Sequence, residues 1–259
     1  MLRFFVGAIA ALFMASGACA AEIHVMISAG FFGVYAELKP AFEKQTGHTL
    51  VTSRGPSMGD SPEAIPTRLA RGEPADVVIM DGHGTEQLAK RGLVMPGSQK
   101  ILAKSLAGMV VKEGAPKPDI STPEALKKTL LEAQSIAYSD SGSGTYLSTK
   151  LFPRMGIADQ IAGKSRKVRG PPSGEPVAAV VARGEAQIGF QQVSELIHVP
   201  GVTFVGPLPA ELQPGFTFAG SIGSKSQHPD AAKALIDFLA APGTKDMKVK
   251  AGLEPPAGQ

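Results

Sequence analysis

The hydrophobic positions fall into short runs that alternate with longer amphipathic stretches. "EIHVMIS", residues 22 to 28, is rich in apolar and β-branched side chains and stops at Ser28-Ala29-Gly30. Phe31, Val34, Leu38, Ala41 and Phe42 then recur near helical spacing in "FFGVYAELKPAFEKQTG". That pattern predicts a strand followed by a helix, with Gly47 as its stop and Pro40 as an irregularity. "HTLVTS" reads as a second strand. Asp60 or Ser61 can cap a helix that has Pro62 at its first position and Glu63 nearby. "ADVVIM", 75 to 80, is continuously apolar, as strands buried in parallel sheets are.

"HGTEQLAKRGL" gives another helix, and "LAGMVVKEGAP" gives a strand that leaves this first unit. A second series follows: "STPEALKKTLLEA" with Ser121 or Thr122 as cap, "SIAYSD", "SGSGTYLSTKLFPRMG", "RKVRG", "SGEPVAAVVARGEA", "QIGF", the short helix "QQVSELI" and "GVTFVG". The chain returns through "GFTFAGSIGSK" and ends in the helix "HPDAAKALIDFLAAPGT" and a loose tail, "EPPAGQ". Strands alternating with helices predict an α/β architecture with mixed, mainly parallel sheets. The two crossings bracket the second series, so lobe one is expected to be residues 21–107 plus 218–259, and lobe two residues 108–217.

The first twenty residues change the picture of location. Arg3, an apolar run from Phe4 to Met14, and Ala18 and Ala20 in an A-x-A arrangement read as a secretory signal peptide. Cleavage is expected after Ala20. Cys19, the one cysteine, has Ser16 three residues before it instead of the aliphatic residue of a lipoprotein signal. The mature chain then has no thiol, compatible with the periplasm. Lys and Arg number 26 against 23 for Asp and Glu, a near balance that gives no case for nucleic acid. The basic run Lys164, Arg166, Lys167 and Arg169 reads as a solvated strand edge. A soluble monomer is expected.

The candidate chemistry begins with Gly55-Pro56-Ser57-Met58-Gly59, a match to the G-x-S-x-G nucleophile elbow. A secreted serine hydrolase using Ser57 is therefore one reading. Against it, the helix signals come several residues too late, no glycine-rich oxyanion segment is present, and His198 and His228 are poorly placed partners. The five histidines show no ligand spacing, so neither metal nor cofactor is expected. A different device recurs. Ser28-Ala29-Gly30, Ser53 to Ser61 with Arg54, and Asp140 to Thr145 are Ser/Gly/Thr loops running from strand ends into helices. Free N–H groups and helix dipoles favour an anion at such places, and the ligand crevice of an open α/β sheet lies there. Arg54 can clamp an oxyanion with two hydrogen bonds.

"EIHVMISAGFFGVYAELKPAFEKQTG", "RLARGEPADVVIM", "YSDSGSGTYLSTKLFPRMG" and "ARGEAQIGFQQVSE" together resemble the periplasmic molybdate-binding protein family over nearly the whole mature chain. Gly72 to Val77, and Gly184-Glu185-Ala186 with Gly189, are its most specific points. The resemblance implies a type II periplasmic-binding-protein fold: two α/β lobes, two crossover strands, an oxyanion in the cleft, and delivery to an ABC permease. Departures bear on the ligand. Gly30 stands where that family places a ligand-binding serine, with Ser28 two residues earlier, and Gln192 stands where it often has a tyrosine. Arg54 suits a carboxylate, and Phe31 and Phe32 can pack a carbon skeleton. The ligand is thus either a small organic carboxylate or molybdate or tungstate. The expected site is Ser28, Ala29, Gly30, Phe31, Arg54, Ser57, Ser143, Gly144, Thr145 and Gln192, holding a ligand without reacting with it.

Overall fold

The computed structural model describes residues 20–59 and 61–256. The expected leader up to Cys19, the capping role of Asp60 and the last three residues lie outside them. In chain order the chain forms β1 (Glu22–Ile27), α1 (Ala29–Thr46), β2 (Thr49–Arg54), α2 (Ile65–Ala70), β3 (Val77–Asp81), α3 (Gly82–Lys90), β4 (Lys100–Ser105) and β5 (Ala107–Lys112). Next come α4 (Pro123–Glu132), β6 (Ile136–Ser139) and α5 (Gly142–Tyr146), which a π-helical turn joins to α6 (Phe152–Arg154). The remainder is α7 (Ala158–Ala162), β7 (Ser165–Val168), α8 (Val177–Ala182), β8 (Ile188–Gln192), α9 (Val193–Leu196), β9 (Val202–Pro207), β10 (Phe216–Ile222), α10 (Pro229–Ala240) and α11 (Lys245–Lys250).

Two five-stranded sheets result, ordered β2-β1-β3-β10-β4 and β7-β6-β8-β5-β9. In each, three parallel strands are joined by one antiparallel strand, β10 or β5, which carries a fifth. The antiparallel strands are the two that arrive from the other lobe. Leu106 alone separates β4 from β5, so the chain changes sheets within one residue. Ala107 pairs in the second sheet and Phe216 and Thr217 pair in the first, which moves the crossings by one or two residues from the expected borders.

Alternation of side chains explains why β3 is apolar throughout. Val77 and Ile79 face a core formed with Phe31, Val34, Leu38 and Phe42 of α1 and Leu235 and Ile236 of α10. Val78 and Met80 face the opposite way, onto Ile65 and Leu69 of α2 and Leu88 of α3. The second sheet is layered alike: Met109 and Val111 pack with α4, and Val110 packs with Val177, Val180 and Val181 of α8. Both faces of each sheet are buried, as parallel α/β sheets require.

Two local features differ from the sequence reading. The helix after β2 begins at Ile65 with Ala64 as its cap and Pro66 in its first turn, later than Pro62 suggested. The segment "KILAKS" forms β4, a strand at the sheet edge that the sequence reading passed over. Gly47 ends α1 as expected, in the left-handed conformation (φ 74°) that glycine adopts freely. Asp76 ties this lobe together by accepting hydrogen bonds from His24 N (2.8 Å), Ser226 Oγ (2.6 Å) and Gln227 N (3.0 Å). Burial pushes its carboxyl up, but these donors outweigh burial and hold it below the usual aspartate range.

Candidate functional site

The carboxyl ends of the parallel strands of both sheets point at one another, and a narrow cleft lies between them. From lobe one come Ser28, Ala29 and Gly30 after β1, Gly55, Pro56 and Ser57 after β2, Asp81 at the end of β3, and Phe218 from β10. From lobe two come Ser139 to Gly142 after β6, Gly170 and Pro171 after β7, Gln191 and Gln192 at the end of β8, and Glu195 on α9.

Ser28 caps the 18-residue helix α1, yet its side chain makes no capping bond. Its Oγ is buried and without a partner among the described residues, as is Gln192 Oε1, while the two residues are only 4 % and 5 % exposed. Buried polar atoms are normally paired, so unpaired ones lining a cleft point to a polar ligand. Ser57 Oγ accepts from the Asp81 amide at 3.3 Å, which leaves its proton free to donate. Its neighbour is thus a backbone amide instead of a histidine, and the helix that follows starts at Ile65, so a nucleophile elbow is not assembled. Gly30 allows close packing here: a Cβ on it would sit 2.2 Å from Phe218 Cζ.

Five of the ten expected residues, Ser28, Ala29, Gly30, Ser57 and Gln192, line the cleft together. The others sit elsewhere. Phe31 is fully buried and packs on Phe218 at 6.1 Å between ring centroids, because it occupies the core face of α1. Arg54 lies outside the inner wall, its guanidinium 4.3 Å from the Phe32 ring centroid, a cation–π contact. Its Nε has no hydrogen-bond partner among the described residues. In lobe two the lining falls earlier than expected. Ser141 caps α5, so residues beyond Gly142 wind onto the helix and turn away. Ser143 is fully buried against Ser139 Oγ (3.2 Å), and Gly144 packs so closely on Ser139 that a Cβ would lie 1.7 Å from its carbonyl oxygen. Thr145 faces a neighbouring depression with Met58, His83, Tyr146 and Phe216.

The sequence reading passed over two acids. Asp81 is 8 % exposed and caps α3, its Oδ1 accepting from Gly84 N at 3.1 Å. Burial pushes its carboxyl up against those amide bonds. Glu195 keeps partial contact with the cleft while protein surrounds the rest of it. Burial lifts its carboxyl to about 7, opposed by the Gln191 hydrogen bond and the Arg54 charge, and Asp140 raises it further. Asp81 was legible in principle as the polar residue ending an apolar strand. Glu195 carried no such signal in "QQVSE".

The lobes also touch directly. Ser194 Oγ donates to Gly30 O at 2.8 Å, and α9 packs on α1. Arg169 of lobe two also pairs with Glu63 of lobe one at 2.8 Å.

A two-lobed α/β scaffold with donors at facing strand ends defines a solute-binding architecture. Residues 23–254 match the bacterial extracellular solute-binding proteins, and the chain belongs to that family. It is 49 % identical over 235 residues, 91 % of this chain and 88 % of the relative, to a Pseudomonas protein named aconitate isomerase. It is 28 % identical over 246 residues, 91 % of this chain and 90 % of the relative, to the molybdate-binding protein ModA of Azotobacter vinelandii. The solved periplasmic molybdate-binding protein of that organism superposes with a TM-score of 0.71 at 23 % identity, covering 90 % of this chain and 99 % of its own. The resemblance and fold drawn from the sequence therefore stand. The expectation of a protein without chemistry does not: a relative at 49 % identity bears an enzyme's name.

Proposed function

We propose that this protein isomerises a small unsaturated tricarboxylate of the aconitate type, bound in the cleft between its lobes. One observation carries the reading: the cavity combines neutral donors for carboxylates with two acid side chains, Asp81 and Glu195, whose carboxyls burial pushes up. A cleft that only holds an anion gains nothing from further carboxylates, which repel it when ionised. A cleft that moves a proton on that anion needs a group able to take and return one near neutral pH. The relative named aconitate isomerase supplies the substrate class.

The chemistry needs no cofactor. Aconitate has a methylene arm on one side of its central carbon and a vinyl C–H on the other. Taking a proton from the methylene and returning one at the vinyl carbon moves the double bond across the centre. The methylene arm is joined by a single bond and turns freely, so the conformation in which the cleft holds it sets the geometry of the new double bond. Negative charge develops on the carboxylate of the arm that loses its proton. Donors at the α1 terminus and the Ser57 hydroxyl, which line the cleft, would stabilise it.

Ser28, Ala29, Gly30, Ser57 and Gln192 are read as ligand-binding residues, with Arg54 as an outer charge. The chain is further read as an exported, monomeric periplasmic protein, consistent with its N-terminal pattern and its family. A second reading, delivery of the bound anion to an ABC permease without conversion, draws on the solute-binding scaffold and the Arg169–Glu63 contact between the lobes. Purified protein incubated with cis-aconitate and followed by proton NMR separates the two. Appearance of the trans isomer up to its equilibrium share is expected; saturable binding by calorimetry with no conversion of either isomer would leave only the carrier.

A further inference from the structure

Resting on the isomerase reading, we propose that Glu195 is the side chain that carries the proton between the two ends of the bound tricarboxylate, with Gln191 as its positioning residue. Two acids line the cleft, and their surroundings assign them different work. Asp81 is committed to the fold: it caps α3, accepting from Gly84 N at 3.1 Å and from the His83 amide as well. A carboxylate so engaged is held in place and has little freedom to take up a carbon-bound proton. Glu195 accepts one hydrogen bond, from Gln191 Nε2 to Oε1 at 2.7 Å, and Oε2 has no hydrogen bond among the described residues.

Gln191 is only 2 % exposed, and the backbone N–H of Val177 donates to its Oε1 at 3.1 Å. That bond fixes which end of the amide faces Glu195: the NH₂ group is turned toward the carboxyl and steadies its charged form. The charged groups acting on Glu195 are Arg54 from the end of β2 and Asp140 from the end of β6, of opposite sign. Burial nevertheless leaves its carboxyl at about 7, where it both accepts and returns a proton at ordinary pH. Its helix, α9, also forms the seam with α1, so Glu195 projects from lobe two beside the elements of lobe one that line the cleft.

The step balances within the substrate and one side chain. Ionised Glu195 takes a proton from the methylene carbon, and the electrons of that C–H bond become the new bond to the central carbon. The electrons of the former double bond move to the former vinyl carbon, which takes a proton back from the Glu195 carboxyl. One C–H bond breaks and one forms, and nothing is oxidised or reduced.

The test compares variants of the full chain for conversion of cis-aconitate and for its binding by calorimetry. Glu195→Gln keeps the size of the side chain and should bind within a fewfold of the parent while kcat falls at least a hundredfold. The parent's kcat/KM should rise with pH through about 7, and any residual activity of the variant should lack that rise. Gln191→Met should move the same limb to higher pH, because a donor to the carboxylate is lost; an inert structural glutamine would leave it in place. If Glu195→Gln also loses binding, Glu195→Asp decides: a retracted carboxyl with binding intact should be at least tenfold slower, and an equal rate overturns the assignment. Conversion by Glu195→Gln within tenfold of the parent overturns it too, as does an Asp81→Asn variant that binds but alone loses turnover. A parent that binds both isomers and converts neither instead overturns the isomerase reading on which the assignment rests.

Discussion

Lys248 is the residue least at ease in this protein. It is fully buried on α11, its Nζ has no hydrogen-bond partner among the described residues, and burial pushes its ammonium down to about 8. The charged form is disfavoured in the fold by roughly 3 kcal/mol, at about 1.36 kcal/mol per pKa unit. Below about pH 8 both folded and unfolded chains hold the proton and the penalty is complete. Between there and the ordinary lysine value of 10.5 the unfolded chain binds more protons, so stability rises with pH. Lys248→Met should melt several degrees higher at pH 7 and show none of that alkaline rise. Equal melting curves would mean that the ammonium finds water. At the same scale the site was only partly legible. A run such as Ser141-Gly142-Ser143-Gly144-Thr145 announces a helix start, but composition does not say which serine is the cap and which is wound into the helix. Ser141 faces the cleft and Ser143 the interior for that reason alone. Glu195 was invisible because its burial comes from lobe packing, which no local pattern encodes.

Elements were easier to read, since periodicity reports what is buried on each face. The double-sided burial of β3 wrote itself into "ADVVIM", whereas β4, an edge strand paired within the sheet with β10, holds only a three-residue apolar run between lysines. Asp76 shows how elements distant in sequence are locked. It reaches from the start of β3 to β1 and to the residues leading into α10. Its carboxyl sits below the usual range, so its contribution is present above the ordinary aspartate pKa and is lost as pH falls through the lower folded value. Asp76→Asn should cost about 2–3 kcal/mol at pH 7, the worth of hydrogen bonds to a buried charge. Urea titrations should also show the parent and the variant converging in stability at strongly acid pH. A constant gap at all pH values would mean that shape, and not charge, is what Asp76 supplies.

For the whole molecule, the lobes and their crossings follow from the order of strands, while the contacts that close them do not. Glu63 and Arg169 come from loops 106 residues apart, and their pairing depends on how the lobes face each other. Exposed ion pairs contribute little and are screened by salt. Arg169→Ala should therefore weaken ligand binding less than tenfold, raise the radius of gyration of the unliganded protein in small-angle scattering, and abolish any salt dependence of that radius. No change in radius would assign the pair to the surface and leave closure to the ligand.

The seam between α9 and α1 has a consequence for tempo. The Ser194 hydroxyl holds the Gly30 carbonyl one residue away from the acid that faces the cleft. Parting the lobes would break that contact and draw Glu195 back from the turns of lobe one that line the cleft. On the proposed assignment of Glu195, an open molecule would be chemically idle and one shut around its substrate would be committed. If the isomerase reading holds, hinge opening and not proton transfer is expected to set the pace of turnover, which a dependence of kcat on solvent viscosity would reveal.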